Sequence, residues 1–383
     1  MKIALAHKRL DLKGGTERDL FKTAEGLRDH GHDVHLFCAE YGVAPPAGVT
    51  AHRVSVLGIG RTARLWSFAR RAPRLIEQSG CDVVIGFGRL IEQDILRCGG
   101  GTHRGFLARL GSEGSAARRL WQKVSLYHRT LLALERRQYA APRLQAIIAV
   151  STEVKCDILE NYPVADERIA VLYNGVDLER FHPAKRRQYG AEVRARWQIP
   201  ADAPLVLFVG SGFRRKGLDR LLALWSLPEF GKIYLLVVGS DARLASYQAR
   251  AEGIAPRRII FAGRQDDIEK YFAAADVVAL PALQEAFGNV VLEALASGLP
   301  VLVSRDVGAA EVLTRTLSGS VVDDLDDSVE FSGKLLALLH RVGDPALGHA
   351  ARKIAEDYSW QRHFDRLDEL LQQVSGRAPA RVS

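Results

Sequence analysis

Short apolar runs alternate with amphipathic stretches along most of the chain. Residues 2–6 predict a buried strand, followed by a loop that ends at Gly14-Gly15. Leu20, Phe21, Ala24 and Leu27 then recur at helical spacing, which predicts a helix over about residues 16–30. Gly31 closes that helix, and residues 34–38 predict the next strand. Further strands are expected at residues 82–87 and 146–150, with Arg-rich helical sequence over about 105–139. In the second half the pattern is cleaner. Strands are predicted at 205–209, 233–238, 259–262, 277–280 and 301–304, with helices near 218–225, 243–251, 268–274 and 289–297. Strand and helix in alternation argue for α/β architecture with parallel sheets wrapped on both faces.

At 383 residues the chain exceeds one ordinary core and suits two doubly wound domains. They would be joined within the polar, proline-bearing segment 161–204. Ligands of such sheets bind beyond the carboxyl ends of the strands, so a cleft between two such domains is the expected site. No apolar run approaches the roughly 20 residues of a membrane-spanning helix. The apolar piece in the opening MKIALAHKR is too short for a signal-peptide core. Four cysteines without a Cys-x-x-Cys pair support neither a zinc knuckle nor a disulfide framework, so a reducing cytoplasm is expected.

Charge adds one feature. From Arg61 to Arg143 there are 16 Lys and Arg against 6 Asp and Glu, Arg118, Arg119 and Lys123 among them. This reads either as a solvated basic face or as the footprint of a phosphate-rich partner. No helix-turn-helix, zinc or aromatic-basic repeat accompanies it, so nucleic acid fits less well than an anionic membrane surface or a phosphorylated acceptor.

Two stretches carry candidate chemistry. The first, Gly210-Ser211-Gly212-Phe213-Arg214-Arg215-Lys216-Gly217, follows a strand and precedes an amphipathic helix. Glycines and cations at that place hold a diphosphate through backbone N–H groups and side-chain charge. A dinucleotide fingerprint would need a third glycine where Arg215 stands, and a Walker A loop would need Ser or Thr after Lys216. The second, Glu285-Ala286-Phe287-Gly288-Asn289-Val290-Val291-Leu292-Glu293, puts two carboxylates in apolar surroundings. Such burial needs a partner, and that partner need not be protein: hydroxyls of a ligand suit both carboxylates, the alternative for Glu293 being the helix end or a neighbouring cation. Gly288-Asn289 should start a helix whose N–H groups take phosphate oxygens. Asp324-Leu325-Asp326 spells the Asp-x-Asp of metal-dependent transferases, yet its acidic loop reads as a solvated turn, so no metal is expected.

These motifs together resemble the retaining glycosyltransferases of the GT-B fold that carry a Glu-x7-Glu motif. Gly14-Gly15-Thr16-Glu17-Arg18 looks like that family's first glycine-rich loop, and Tyr173-Asn174-Gly175-Val176-Asp177 like its Pro-Asn-Gly-Val-Asp loop. Ser297-Gly298-Leu299-Pro300-Val301 and Tyr358-Ser359-Trp360 match further habits of the family. The resemblance implies an N-terminal acceptor domain over 1–168, a nucleotide-sugar domain over 169–358, and a last helix and tail over 359–383 that returns to the first domain. Gly101-Thr102-His103-Arg104 resembles the Gly-x-His-Arg segment of lipopolysaccharide core glucosyltransferases, which move glucose from UDP-glucose onto a heptose. Where relatives often place an acid just before it, this chain has Gly99-Gly100, which leaves open whether His103 works alone.

By resemblance, Arg215 and Lys216 would stabilise the leaving diphosphate, Glu285 would bond the donor sugar, and Glu293 the ribose. Arg264 and Gln265 would border the uracil; Gly212, Phe287, Gly288, Asn289 and Val290 would line the donor. Gly15 and Thr16 would approach the donor from the first loop, while Arg18, Arg104 and Asn174 would serve the acceptor or its loops. His103 would sit beside the transferred sugar, and no cofactor is implied. The family reading gives a monomer, peripheral on the cytoplasmic face of the inner membrane. Other nucleotide sugars (UDP-GlcNAc, UDP-galactose, GDP-mannose), a GT-B UDP-sugar epimerase and a sugar-nucleotide-binding scaffold remain as alternatives.

Overall fold

The computed structural model describes residues 1–12, 14–58, 60–112, 125–313 and 319–377; Arg118, Arg119 and Lys123 lie outside them. The chain packs as two units, the first made of Met1–Asn174 and the residues from Gln361 onward, the second of Gly175–Trp360.

The first unit is built on a seven-strand sheet: β1 (Lys2–Leu10), β2 (Asp33–Tyr41), β3 (Thr50–Arg53), β4 (Val83–Gly86), β5 (Ile95–Cys98), β6 (Ala146–Ala149) and β7 (Ile169–Val171). They lie in the order β3-β2-β1-β4-β5-β6-β7, all parallel, so strand order reverses between β1 and β4. Helices α1 (Gly15–Asp29), α2 (Arg61–Gln78), α3 (His103–Ser112), α4 (Leu126–Tyr139) and α5 (Thr152–Asn161) complete the alternation. The first strand runs four residues beyond the expected 2–6, because Leu10 is buried and pairs with Tyr41.

The second unit has strands β8 (Leu205–Val209), β9 (Tyr234–Val238), β10 (Ile259–Gly263), β11 (Val277–Leu280), β12 (Val301–Ser304) and β13 (Gly319–Val322). Their order is β10-β9-β8-β11-β12-β13, again parallel, with the reversal between β8 and β11. Its helices are α6 (Lys185–Arg196), α7 (Leu218–Leu224), α8 (Leu244–Ile254), α9 (Ile268–Ala274), α10 (Asn289–Ala296), α11 (Ser328–Leu339) and α12 (Pro345–Glu356). A core of Phe208, Phe213, Trp225, Phe230 and Phe331 fills one face of this sheet.

In the structure the first unit runs past residue 168. A division after residue 168 would cut β7 away from the sheet it completes, since Ile169 pairs with Ile147 and Val171 with Ala149. The chain leaves the first unit at Asn174 instead and re-enters it at Gln361. Helix α13 (Trp360–Arg377) then packs on the first unit. A Cβ on Gly26 would lie 2.0 Å from the Phe364 ring, and His32 Nε2 meets Asp368 at 2.7 Å.

Candidate functional site

Both strand-order reversals place loops side by side at the carboxyl edge of a parallel sheet, where open α/β folds bind ligands. In the second unit the two loops are those after β8 and β11. Val277 and Val278 pair with Val206 and Leu207, so residues 210–217 and 281–288 emerge as neighbours. The Leu283 N–H donates to the Arg215 carbonyl at 2.8 Å, tying the loops directly. Glycine makes the approach possible: a Cβ on Gly217 would sit 1.7 Å from the Pro281 carbonyl oxygen. The next strand end is as close, for a Cβ on Gly239 would lie 1.9 Å from the Gly210 oxygen.

The charged groups converge there. Arg215 Nη1 lies 2.8 Å and Lys216 Nζ 3.3 Å from the same Glu285 oxygen. Arg215 Nη1 also donates to the Gln284 carbonyl at 2.7 Å. Burial pushes the Glu285 carboxyl up, but Lys216 and Arg215 outweigh it and hold it below the usual range. This changes the expectation for Glu285, whose partners here are the two cations themselves. Its backbone is pinned as well: the Glu285 N–H donates to Asp306 O at 3.0 Å and the Gly308 N–H to Glu285 O at 2.9 Å.

Gly288, in the left-handed region at φ 92°, caps α10, and Glu293 lies one turn inside that helix. Phe287 and Val290 are buried, so the groups they can offer a ligand are backbone N–H rather than side chain. Gly212 is also left-handed at φ 75°, with nothing within 4 Å of an added Cβ. Arg264 is exposed just past β10, and Gln265 turns its amide back to Ala262 O at 2.6 Å. Asp241 was missed by the sequence reading. It anchors the cation loop by accepting the Phe213 N–H at 2.8 Å, and the only trace is its place after β9 in Gly239-Ser240-Asp241. Asp324 and Asp326 are engaged in a turn: Asp324 Oδ1 accepts the Asp326 N–H at 2.9 Å, and Asp326 pairs with Arg220 at 2.9 Å. Among the described residues no group of three or more His, Cys, Asp or Glu is placed to hold a metal ion.

In the first unit, Gly15 opens α1 and Arg18 Nε donates to Leu12 O at 2.9 Å, closing the first loop. The Thr16 hydroxyl lies 3.9 Å from where a Cβ on Gly99 would stand, which brings this loop to the end of β5. Asn174 is not isolated. Its Oδ1 accepts from Arg97 Nη2 at 2.6 Å, and Arg97 Nε donates to Asp19 at 2.8 Å, a buried chain from α1 to the last residue of the unit's first segment. His363 on α13 joins the same region, its Nδ1 2.7 Å from Tyr173 O. Burial and the nearby Arg97 charge pull this imidazole down to about 3.

His103 is the first residue of α3 and Arg104, beside it, is exposed. His103 Nε2 lies 3.0 Å from His128 Nδ1, with the rings stacked at 5.1 Å. Burial, then the charge of Arg89, hold the imidazole down at about 4 against the weaker opposing pull of Glu135, so it is neutral at physiological pH. Sequence reasoning found His103 but missed Arg89, Glu135 and His128, which no local spacing links to it.

Two parallel-sheet Rossmann-like units with this paired loop arrangement define a GT-B-type transferase, and the chain belongs to the corresponding glycosyltransferase family. The profile described as Glycosyltransferase Family 4 matches residues 13–180, and that described as Glycosyl transferases group 1 matches residues 191–354. A probable transglycosylase of Burkholderia thailandensis is 31% identical over 98% of both chains. The lipopolysaccharide glucosyltransferase WaaG of Escherichia coli is 28% identical over 81% of this chain and 82% of its own. A crystal structure of WaaG, described as a glycosyltransferase involved in lipopolysaccharide biosynthesis, superposes with a TM-score of 0.79 at 24% identity, covering 96% of this chain and 99% of that one. Anabaena HepE, solved with UDP-glucose, has a TM-score of 0.70 at 18% identity over 97% of this chain and all of its own.

Proposed function

We propose that this glycosyltransferase is a retaining, metal-independent hexosyltransferase that moves glucose from UDP-glucose onto a heptose of the lipopolysaccharide core. The observation that carries the reading is the meeting of Arg215, Lys216 and Glu285 at the β8/β11 reversal. Cleaving a sugar–diphosphate bond builds negative charge on the phosphate and positive charge on the sugar ring. Two cations fixed against one carboxylate supply preorganised stabilisation of the leaving group, and the N-terminus of α10 adds aligned N–H groups. On binding, the diphosphate replaces Glu285 as the cations' partner, and the released carboxylate bonds the sugar hydroxyls. Glu293 bonds the ribose, Arg264 and Gln265 border the base, and neutral His103 serves the transferred sugar. The departing phosphate takes the acceptor's proton on the same face, which retains configuration. The engagement of Asp324 and Asp326 in their own turn supports reaction without a metal at that motif. The name of the WaaG relative, lipopolysaccharide glucosyltransferase, supports transfer of glucose to lipopolysaccharide.

Unit 1 is proposed to carry the acceptor and to rest on an anionic membrane surface from the cytoplasmic side. Arg61 lies over Tyr127 and both Arg70 and Arg137 over Trp66, with Leu57, Leu126 and Phe106 exposed. Arginine with aromatic and apolar side chains suits such a surface. Among the described residues no helix is long and apolar enough to cross a membrane.

The test is a donor panel. With UDP-glucose, UDP-galactose, UDP-GlcNAc and GDP-mannose offered alongside truncated core acceptors, a hexose mass shift is expected with UDP-glucose alone. Epimerised donor without transfer would replace the reading by an isomerase, and binding without product by a scaffold. The two carboxylates should also separate. Glu293→Ala is expected to weaken UDP binding by about tenfold, the loss of one charge-assisted hydrogen bond. Glu285→Ala should lower kcat by about 10²-fold while leaving UDP affinity unchanged or tighter, because it frees both cations. Calorimetry with UDP and initial rates tell the two apart.

A further inference from the structure

The first residues of α3 are held from outside the helix. The Thr102 N–H donates to Asp157 Oδ2, and the next two N–H groups donate to one carboxylate: His103 to Glu135 Oε1 at 2.7 Å and Arg104 to Glu135 Oε2 at 3.1 Å. Gly105 N–H goes to the Thr102 hydroxyl at 2.9 Å, which completes the four N–H groups that a helix start leaves without intrahelical partners. Glu135 belongs to α4 and is fully buried. It is held by Arg89 Nη1 at 2.7 Å and the Tyr162 hydroxyl at 2.6 Å. Arg89 stands in the loop after β4, on the strand-order reversal of this unit. A carboxylate with four donors in a dry interior is costly unless its geometry is fixed, and here it fixes the backbone of His103. The neighbouring Gln138 holds the same loop, its Nε2 donating to Gly88 O at 2.6 Å.

We propose that Glu135, locked by Arg89, is the positioning residue for His103. It acts through the helix start, holding the imidazole where it pairs with His128 and presents its remaining edge to the transferred sugar. The inference rests on the role given to His103 above. A purely structural ion pair would stabilise the unit without being coupled to His103. The charged and titratable groups facing His103 are Arg89 from the loop after β4 and Glu135 and His128 from α4, with Tyr162 beyond Glu135.

The experiment is a mutant cycle in the full-length protein, read as kcat for transfer from UDP-glucose and as UDP affinity. His103→Ala is expected to lower kcat by about 10²-fold. The charge-balanced pair Arg89→Met with Glu135→Gln should lower it by about tenfold or more, with UDP affinity within about twofold, yet add less than about twofold on the His103→Ala background. Equal losses on both backgrounds would overturn the positioning role, as would a parallel loss of UDP affinity. Wild-type turnover of His103→Ala would instead remove the role of His103 itself. Arg89→Met alone supplies a second readout. Losing that cation raises the pKa of His103, so the acid limb of the kcat profile should move to higher pH; an unmoved limb in a folded variant would overturn the proposal.

Discussion

Lys216→Met should lower the turnover of sugar transfer by about 10²–10³-fold with little loss of stability, the cost typical of removing one preorganised donor to a developing oxyanion. Lys216 is the more buried of the two cations, its side chain 12% exposed against 48% for Arg215. A charge in lower dielectric does more work on a leaving phosphate. Its stem lies over Gly210, where an added Cβ would come within 2.4 Å of Lys216 Cδ. Methionine keeps that apolar stem and removes only the charge. Arg215→Met should cost less, about tenfold, because the guanidinium is half exposed and divides its bonds between Gln284 O and Glu285. Initial rates with saturating donor, with melting curves as the folding control, check both. Turnover of Lys216→Met within threefold of the native chain would show that the diphosphate leaves elsewhere.

The same pair of loops shows what the sequence makes legible. Strands at 205–209, 277–280 and 301–304 were readable to the residue because LVLFV, VVAL and VLVS are continuous apolar runs, as fully buried parallel strands are. β5 is hard to see in the sequence because Arg97 interrupts ILRC, and only the fold shows that Asp19 neutralises it while Asn174 accepts a further N–H. β3, TAHR, is a polar edge strand paired on one side only, and Pro73 inside α2 mimics a break. The site divides in the same way. Glycine and cation positions were visible because local backbone geometry demands them, whereas the pairing of Glu285 with Arg215 and Lys216 depends on β8 lying beside β11. Glu135 serving His103 is less legible still, being 32 residues away on another helix.

Gly217→Ala should severely damage the second unit, and Gly212→Ala is its control. Both glycines sit at φ 75°, so alanine at either bears the same left-handed cost of about 1–2 kcal/mol. They differ in their neighbours. Around Gly212 an added Cβ meets nothing within 4 Å, while at Gly217 it would lie 1.7 Å from Pro281 O and 2.7 Å from Pro281 C. Those are backbone atoms at the end of β11, held by the sheet, so they cannot turn aside as a side chain would. The helix start must therefore retreat from β11, breaking the Leu283 N–H bond to Arg215 O and drawing Arg215 and Lys216 away from Glu285. A loss of about 3 kcal/mol or more is expected, a melting point lower by about 6–12 °C for a unit of this size, and turnover close to background. Gly212→Ala should lower the melting point by about 2–8 °C. Equal melting points for the two variants would mean that the close approach of the two loops does not hold in solution, and with it the geometry on which the proposed leaving-group chemistry rests.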